Sequence, residues 1–197
     1  MSKRKSKSRS IYIDTNVALD YATQRNKETI AVLDRIKERG WKCISASFMA
    51  MEMADYKKQS LYVIDKLVNR KWEARKVLSN VRNTDLNESQ LIDAHNWFAD
   101  FVSRYKQIEF YDFITDSEAW GLAQKISFGS NLTAPDVIHL SSAIIAAVYK
   151  QCDTMITQDR NLIVEGNRIL REYRLKTKLS IKTVSDFRKA HFKSLKF

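Results

Sequence analysis

Short apolar runs rich in strand formers recur along the chain at residues 11–13, 41–45, 108–113, 154–157 and 179–183. Between them, apolar residues return at three- and four-residue steps, the period of a helix with one buried side. Val17, Leu19 and Tyr21 open the first such segment. Ile30, Leu33 and Ile36 mark a second, over 27–39, which Gly40 stops. Ser47 is placed to cap a helix running through Tyr56. Thr115-Asp116-Ser117-Glu118 reads as a capping box opening a helix that carries Ala119, Leu122, Ala123 and Ile126. Pro135 sits where a first helical turn tolerates it, ahead of Val137, Leu140, Ile144 and Val148. Residues 162–173 are helical in pattern, and Ser185 is placed to cap a last helix.

The stretch 57–107 has a different texture. Leu61, Ile64, Val68, Trp72, Leu78 and Val81 keep helical spacing on a charged background, which predicts one long helix with a narrow apolar face. A turn cluster at 83–87 follows. Leu91, His95, Phe98, Phe101 and Val102 then mark a second helix, expected to return as the other arm of a hairpin.

Strands alternating with helices at this pace predict an α/β fold, a parallel sheet with helices on both faces, elaborated by that helical hairpin at about 57–107. Right-handed crossovers put all strand C-termini along one edge, where ligands bind. Four acids fall there. Asp14 follows the first strand, Glu52 lies in the helix after the second, Asp136 opens the helix after the 127–133 loop, and Asp159 follows the fourth strand. Singly, each has a plain role as a turn or helix cap. Glu52 is harder to place so, because a charge inside Met49-Ala50-Met51-Glu52-Met53-Ala54 must reach water, a partner or a metal. Jointly, four caps at one sheet edge explain less than a shared site. Crowded carboxylates repel unless a cation neutralises them, and Mg²⁺ or Mn²⁺ prefers such oxygens.

Composition narrows the chemistry. The 197 residues fit one or two domains, and four Gly and one Pro exclude low-complexity or turn-rich all-β architecture. Three His and two separated Cys give no zinc spacing and no disulfide framework, and point to a reducing cytoplasmic compartment. No apolar run approaches a membrane span, and the polar opening predicts no signal peptide. GxxxxGK[ST], GxGxxG and GxSxG patterns are absent, which removes the corresponding nucleotide-binding and hydrolase readings. The net charge of +11 is uneven: residues 1–10 carry +5, residues 166–197 carry +8, and the body between carries −2. Basic ends around an acidic centre suit a polyanion partner, with solvated tails as the plain alternative.

The residues resemble a PIN-domain nuclease of the VapC toxin type. Ile11-Tyr12-Ile13-Asp14-Thr15-Asn16-Val17 is similar to that family's first acidic motif, a strand ending in Asp-x-Asn, and residues 45–54 resemble the second. Ala134-Pro135-Asp136-Val137-Ile138-His139-Leu140 is similar to the third, and Met155-Ile156-Thr157-Gln158-Asp159-Arg160-Asn161-Leu162 to the fourth. The resemblance covers 11–56 and 108–191. It implies a Mg²⁺- or Mn²⁺-dependent endoribonuclease, the toxin of a toxin–antitoxin pair, with Asp14, Glu52, Asp136 and Asp159 as metal-binding and catalytic acids. Asn16 and Thr157 would orient Asp14 and Asp159 or hold a water. His139, a helical turn from Asp136, would touch substrate or be a satisfied structural residue, and stays outside the catalytic set. Asn161 stands near a position where a further carboxylate sometimes occurs, which leaves a second metal open. RNA, an antitoxin protein and a second copy of the chain are the expected partners. The expected organisation is a disordered basic arm at 1–10, one PIN-like domain over 11–191 that includes the insertion, and a basic tail at 192–197. The alternatives are an RNA-processing nuclease without an antitoxin, a DNA-directed nuclease, and a non-catalytic module that holds RNA or protein.

Overall fold

Strands β1 (Ser10–Ile13), β2 (Lys42–Ala46), β3 (Ile108–Tyr111), β4 (Thr154–Ile156) and β5 (Ser180–Lys182) pair in parallel in the order β3-β2-β1-β4-β5. The structure is a computed structural model that describes residues 9–81, 86–105, 108–173 and 177–195. Most of the basic arm, the turn residues 82–85 and the last two residues of the tail lie outside the described residues. The chain divides into two compact units, residues 1–48 with 107–197, and residues 49–106.

The first unit is an α/β layer structure. Tyr12 sits in register with Ile44 on one side and Met155 on the other, while Ile156 pairs with Lys182. Alternate strand residues point to opposite faces. Tyr12, Ile44, Met155 and Ile181 enter one apolar cluster with residues of α6 (Ser117–Phe128), α7 (Ala134–Val148) and α8 (Arg160–Glu172). Ile11, Ile13, Cys43 and Ile156 are also buried, at the alternate strand positions. The helices on that other side are α1 (Thr15–Ala22), α2 (Lys27–Glu38) and α9 (Val184–His191), with α2 packed against both α1 and α9. Burial on both faces is what continuous apolar strand runs require. Gly40 ends α2 at φ 65°, a left-handed position that a side chain would strain, and its N–H bonds the Lys37 carbonyl.

Both cysteines are buried thiols, Cys43 within β2 and Cys152 just before β4. Burial, the largest influence, pushes the Cys152 thiol up to about 12. Among the described residues no helix is long and apolar enough to cross a membrane.

The second unit is helical: α3 (Phe48–Ile64, its first residue in the first unit), α4 (Ala74–Asn80) and α5 (Glu88–Arg104). Here the structure corrects the sequence pattern. The helix expected to stop near Tyr56 runs on to Ile64, and the long helix expected beyond it is broken. A π-helical turn at Asp65–Asn69 follows α3, Lys71 takes φ 53°, and α4 starts afresh. A π turn adds a residue to the repeat and rotates the residues beyond it about the helix axis. Val68 within that turn is exposed, as are Ile64 before it and Leu78 on α4, whereas Tyr62, Lys66 and Val77 are buried. Lys66 ion-pairs with Asp65 at 3.1 Å and lies over the rings of Tyr62 and Trp72. On α5, Leu91 and His95 are exposed, and Ala94 and Phe101 are the buried positions. Tyr56 and Lys57 of α3 meet Trp97 of α5, so these two helices do pair.

Two caps also shift. Asp116, not Thr115, caps α6 by accepting from the Ala119 N–H, and Thr183, not Ser185, caps α9 by accepting from the Asp186 N–H. Each stretch offers several cap-competent residues, and the pattern alone does not choose between them.

Candidate functional site

The strand order reverses at β1 and β4. The chain leaves β1 toward β2 through α1 and α2, and leaves β4 toward β5 through α8 on the other face. In open parallel sheets ligands bind where neighbouring connections part, which here is at the C-terminal ends of those two strands. Asp14 ends β1, and its N–H still bonds the Ile156 carbonyl of β4. Thr157 ends β4 and bonds Lys182 of β5 in the same manner. The backbone thus places Asp14 and Thr157 side by side at that edge.

Asp14 is 4% exposed and held from several directions. Its Oδ1 accepts from the Thr15 N–H at 2.8 Å. Its Oδ2 accepts from Asn16 Nδ2 at 2.6 Å and from the Thr157 hydroxyl at 2.7 Å. The Gln158 N–H donates to Asn16 Oδ1, which fixes which end of that amide faces the carboxylate. Thr157 Oγ1 also accepts from Asn16 Nδ2 and from the Asp159 N–H, each at 3.0 Å. The hydroxyl's one hydrogen and two lone pairs are then all used. Asn16 and Thr157 therefore act directly on Asp14, while Thr157 reaches Asp159 through the backbone.

The other acids are placed by their helices. Asp159 caps α8, its Oδ1 accepting from the N–H groups of Asn161 and Leu162. Asp136 lies in the first turn of α7, its Oδ2 accepting from the Thr133 N–H and hydroxyl. α7 precedes β4 and bonds the β1 end through His139, so Asp136 belongs to the same sheet edge. Both acids are half-buried and cap with one oxygen each, leaving Asp136 Oδ1 and Asp159 Oδ2 outside those bonds. Glu52 is half-buried on α3, in the second unit.

The carboxylate donors match the hard cations Mg²⁺ and Mn²⁺ in chemistry. Among the described residues, however, no three His, Cys, Asp or Glu side chains are grouped closely enough to hold a metal ion. The edge offers oriented hard donors, and no ready-made cage.

A further network lies beneath. His139, 1% exposed on α7, meets the Tyr12 hydroxyl with Nδ1 and the Thr15 hydroxyl with Nε2, both at 2.9 Å. Nε2 stands 3.7 Å from Asp14 Oδ1. The Tyr12 oxygen also accepts the Ala46 N–H at 3.1 Å, and burial above all pushes its phenol well up, so it keeps its hydrogen. Of the two roles open to His139 in the sequence, the buried structural one is what the geometry shows. Tyr12 and Thr15 do not stand out in the sequence pattern. The available signal is a polar side chain on the apolar side of the helix after Asp136, which must find buried partners.

Comparison with known proteins adds little. No family model matches the chain, and no curated protein does. Its trace is similar to one in a crystal structure of VapBC2 from Rickettsia felis bound to a DNA fragment from their promoter, at 12% identity and a TM-score of 0.48. The alignment covers 88% of this chain and 98% of that one. A likeness of that size assigns neither a family nor an activity.

Proposed function

We propose that the chain is a Mg²⁺- or Mn²⁺-dependent endoribonuclease that hydrolyses RNA phosphodiester bonds in the cytoplasm, as the toxin of a toxin–antitoxin pair. The observation that carries this reading is the buried Asp14 carboxylate, fixed by Asn16 and Thr157 at the point where the strand order reverses. The ordered resemblance of four acidic motifs supplies the rest. Asp14, Glu52, Asp136 and Asp159 would hold the ion. Bound there, it would offer Lewis-acid charge to the phosphodiester and lower the pKa of a water. The protein's own part is orientation. Asn16 and Thr157 hold Asp14 still, the α7 and α8 N-termini hold Asp136 and Asp159, and the basic ends of the chain attract the RNA backbone. A second copy of the chain and an antitoxin protein are the proposed protein partners.

The test is cleavage of total RNA with Mn²⁺, with EDTA, and with D136N and D159N. Asparagine still caps a helix, so both variants should fold. Cleavage should vanish with EDTA, and in the variants fall further than the about 10–100-fold that loss of an outer-shell partner costs. A non-catalytic RNA-holding module is the second reading, favoured by the capping bonds that already occupy Asp136 and Asp159. RNA retained but uncut at every metal tried would select it. A DNA substrate run in parallel separates the deoxyribonuclease alternative, and a small antitoxin gene alongside separates toxin from processing enzyme.

A further inference from the structure

We propose that His139 is the positioning residue for Asp14: a hydrogen-bond relay from Tyr12 through its ring to Thr15 fixes the end of β1, and this carboxylate with it, against the helix carrying Asp136. The inference rests on the nuclease reading for its purpose, but its geometry stands in the fold alone. The Tyr12 oxygen accepts the Ala46 N–H, so its own hydrogen needs a different partner. In the proposed relay His139 Nδ1, at 2.9 Å, takes it, in preference to the Ser45 and Ser142 hydroxyls that also lie near that oxygen. A nitrogen that accepts carries no hydrogen in the neutral ring, so the hydrogen sits on Nε2. Nε2–H then points at Thr15 Oγ1, 2.9 Å away, beside Asp14 Oδ1 at 3.7 Å. Thr15 in turn donates its N–H to that same oxygen.

The consequence is mechanical. Ala46 closes β2, Tyr12 lies in β1, His139 in α7 and Thr15 opens α1, so one imidazole links four elements, reaching Ala46 through the Tyr12 oxygen. Asp136 lies three residues before His139 on the same helix. Seating the ring therefore sets where the α7 N-terminus stands relative to the end of β1. At 1% exposure the ring has no access to substrate, so it acts through Thr15 and Asp14 rather than on the reacting atoms. Partners of this outer kind orient metal-binding carboxylates and tune their affinity.

The test uses the full chain and two readouts. The ¹⁵N spectrum of the metal-free protein should show His139 Nδ1 as the bare, accepting nitrogen and Nε2 as the protonated one. In Y12F the two tautomers should mix. Mn²⁺ binding, followed by titration, should weaken about 10–100-fold in H139N, whose shorter side chain withdraws the nitrogen that faces Thr15. It should stay near the unsubstituted value in H139Q, whose amide nitrogen reaches the Nε2 position. An Nδ1–H tautomer in the unsubstituted protein overturns the relay, and so does wild-type Mn²⁺ affinity in a folded H139N. If the unsubstituted protein binds no Mn²⁺, the nuclease reading falls, and this role for His139 falls with it. If it binds Mn²⁺ while H139N binds equally well, only the relay falls.

Discussion

Thr157 shows how much one buried side chain can carry. Its hydroxyl gives its hydrogen to Asp14 and takes hydrogens from Asn16 and the Asp159 backbone, at 0% exposure. Removing it leaves two donors and a carboxylate oxygen each short of that bond. T157V should therefore cost about 1–3 kcal/mol, the penalty for stranding a buried polar group, while T157S keeps most of the stability. Urea denaturation of the two variants measures the difference. At this scale the sequence reads well where a residue's role is local. Asp14, Asn16 and Thr157 stand out because each sits where a strand run stops. The partnership of His139 with Tyr12 and Thr15 is invisible in the same sequence, because 127 and 124 positions separate the bonded pairs.

At the scale of elements, α9 is tied to the start of β1 by Arg9. That guanidinium donates to Asp153 at 2.9 Å and to the Thr154 hydroxyl, approaches His191 Nδ1 at 3.3 Å, and lies over Trp41. Burial of Asp153 works against its charge, but the bonds from Thr154 and Arg9 outweigh it and hold the carboxyl below its ordinary value. His191 is shifted the opposite way for a base: burial, then Arg9 and Lys182, hold its imidazole below the usual value. The unfolded chain, with an ordinary histidine near 6.5, then binds the proton more readily than the folded one. Stability from this residue is full above that value and declines as pH falls below it, toward the lowered folded value. Carboxylates titrate lower down, so the informative quantity is the difference from H191F. Denaturant midpoints of the two proteins should diverge between pH 7.5 and pH 5.5, with H191F losing less.

Elements differ in how legible they are. The five strands and the helices around them are readable because apolar runs and Gly or Pro punctuation agree. In the second unit they disagree. Leu61, Ile64, Val68 and Leu78 trace a clean helical stripe, yet the π turn at Asp65–Asn69 and the fresh start of α4 break it: Val68 and Leu78 are exposed, and Lys66 lies against two rings. A lysine stem is apolar enough to fill that space once Asp65 meets its charge, and hydrophobic patterning scores it as surface.

Over the whole molecule, the order β3-β2-β1-β4-β5 is the feature that gives distant motifs a common address. The fold class is legible from alternation alone. The carboxylates at the strand ends are legible only as far as their edge, because their rotamers answer to local caps. Charge is the other property of the whole. At +11, with the excess at the two ends, the protein should hold RNA by counterion release. Retention of an uncut RNA in EDTA should fall by about 10³–10⁵ between 50 and 200 mM salt if 6–10 phosphates are engaged. Filter binding across that range reads the number of phosphates directly.

The two native thiols bear on how such experiments are built. Cys43 is 0% exposed and Cys152 8%, so both thiols are closed to reagents in solution, and burial pushes that of Cys152 up to about 12 as well. A single cysteine introduced at an open position, such as Phe128 at 92% exposure, would stand alone as a reactive handle. A fluorophore or spin label can thus be attached at one chosen place without first stripping the chain of its own sulfur.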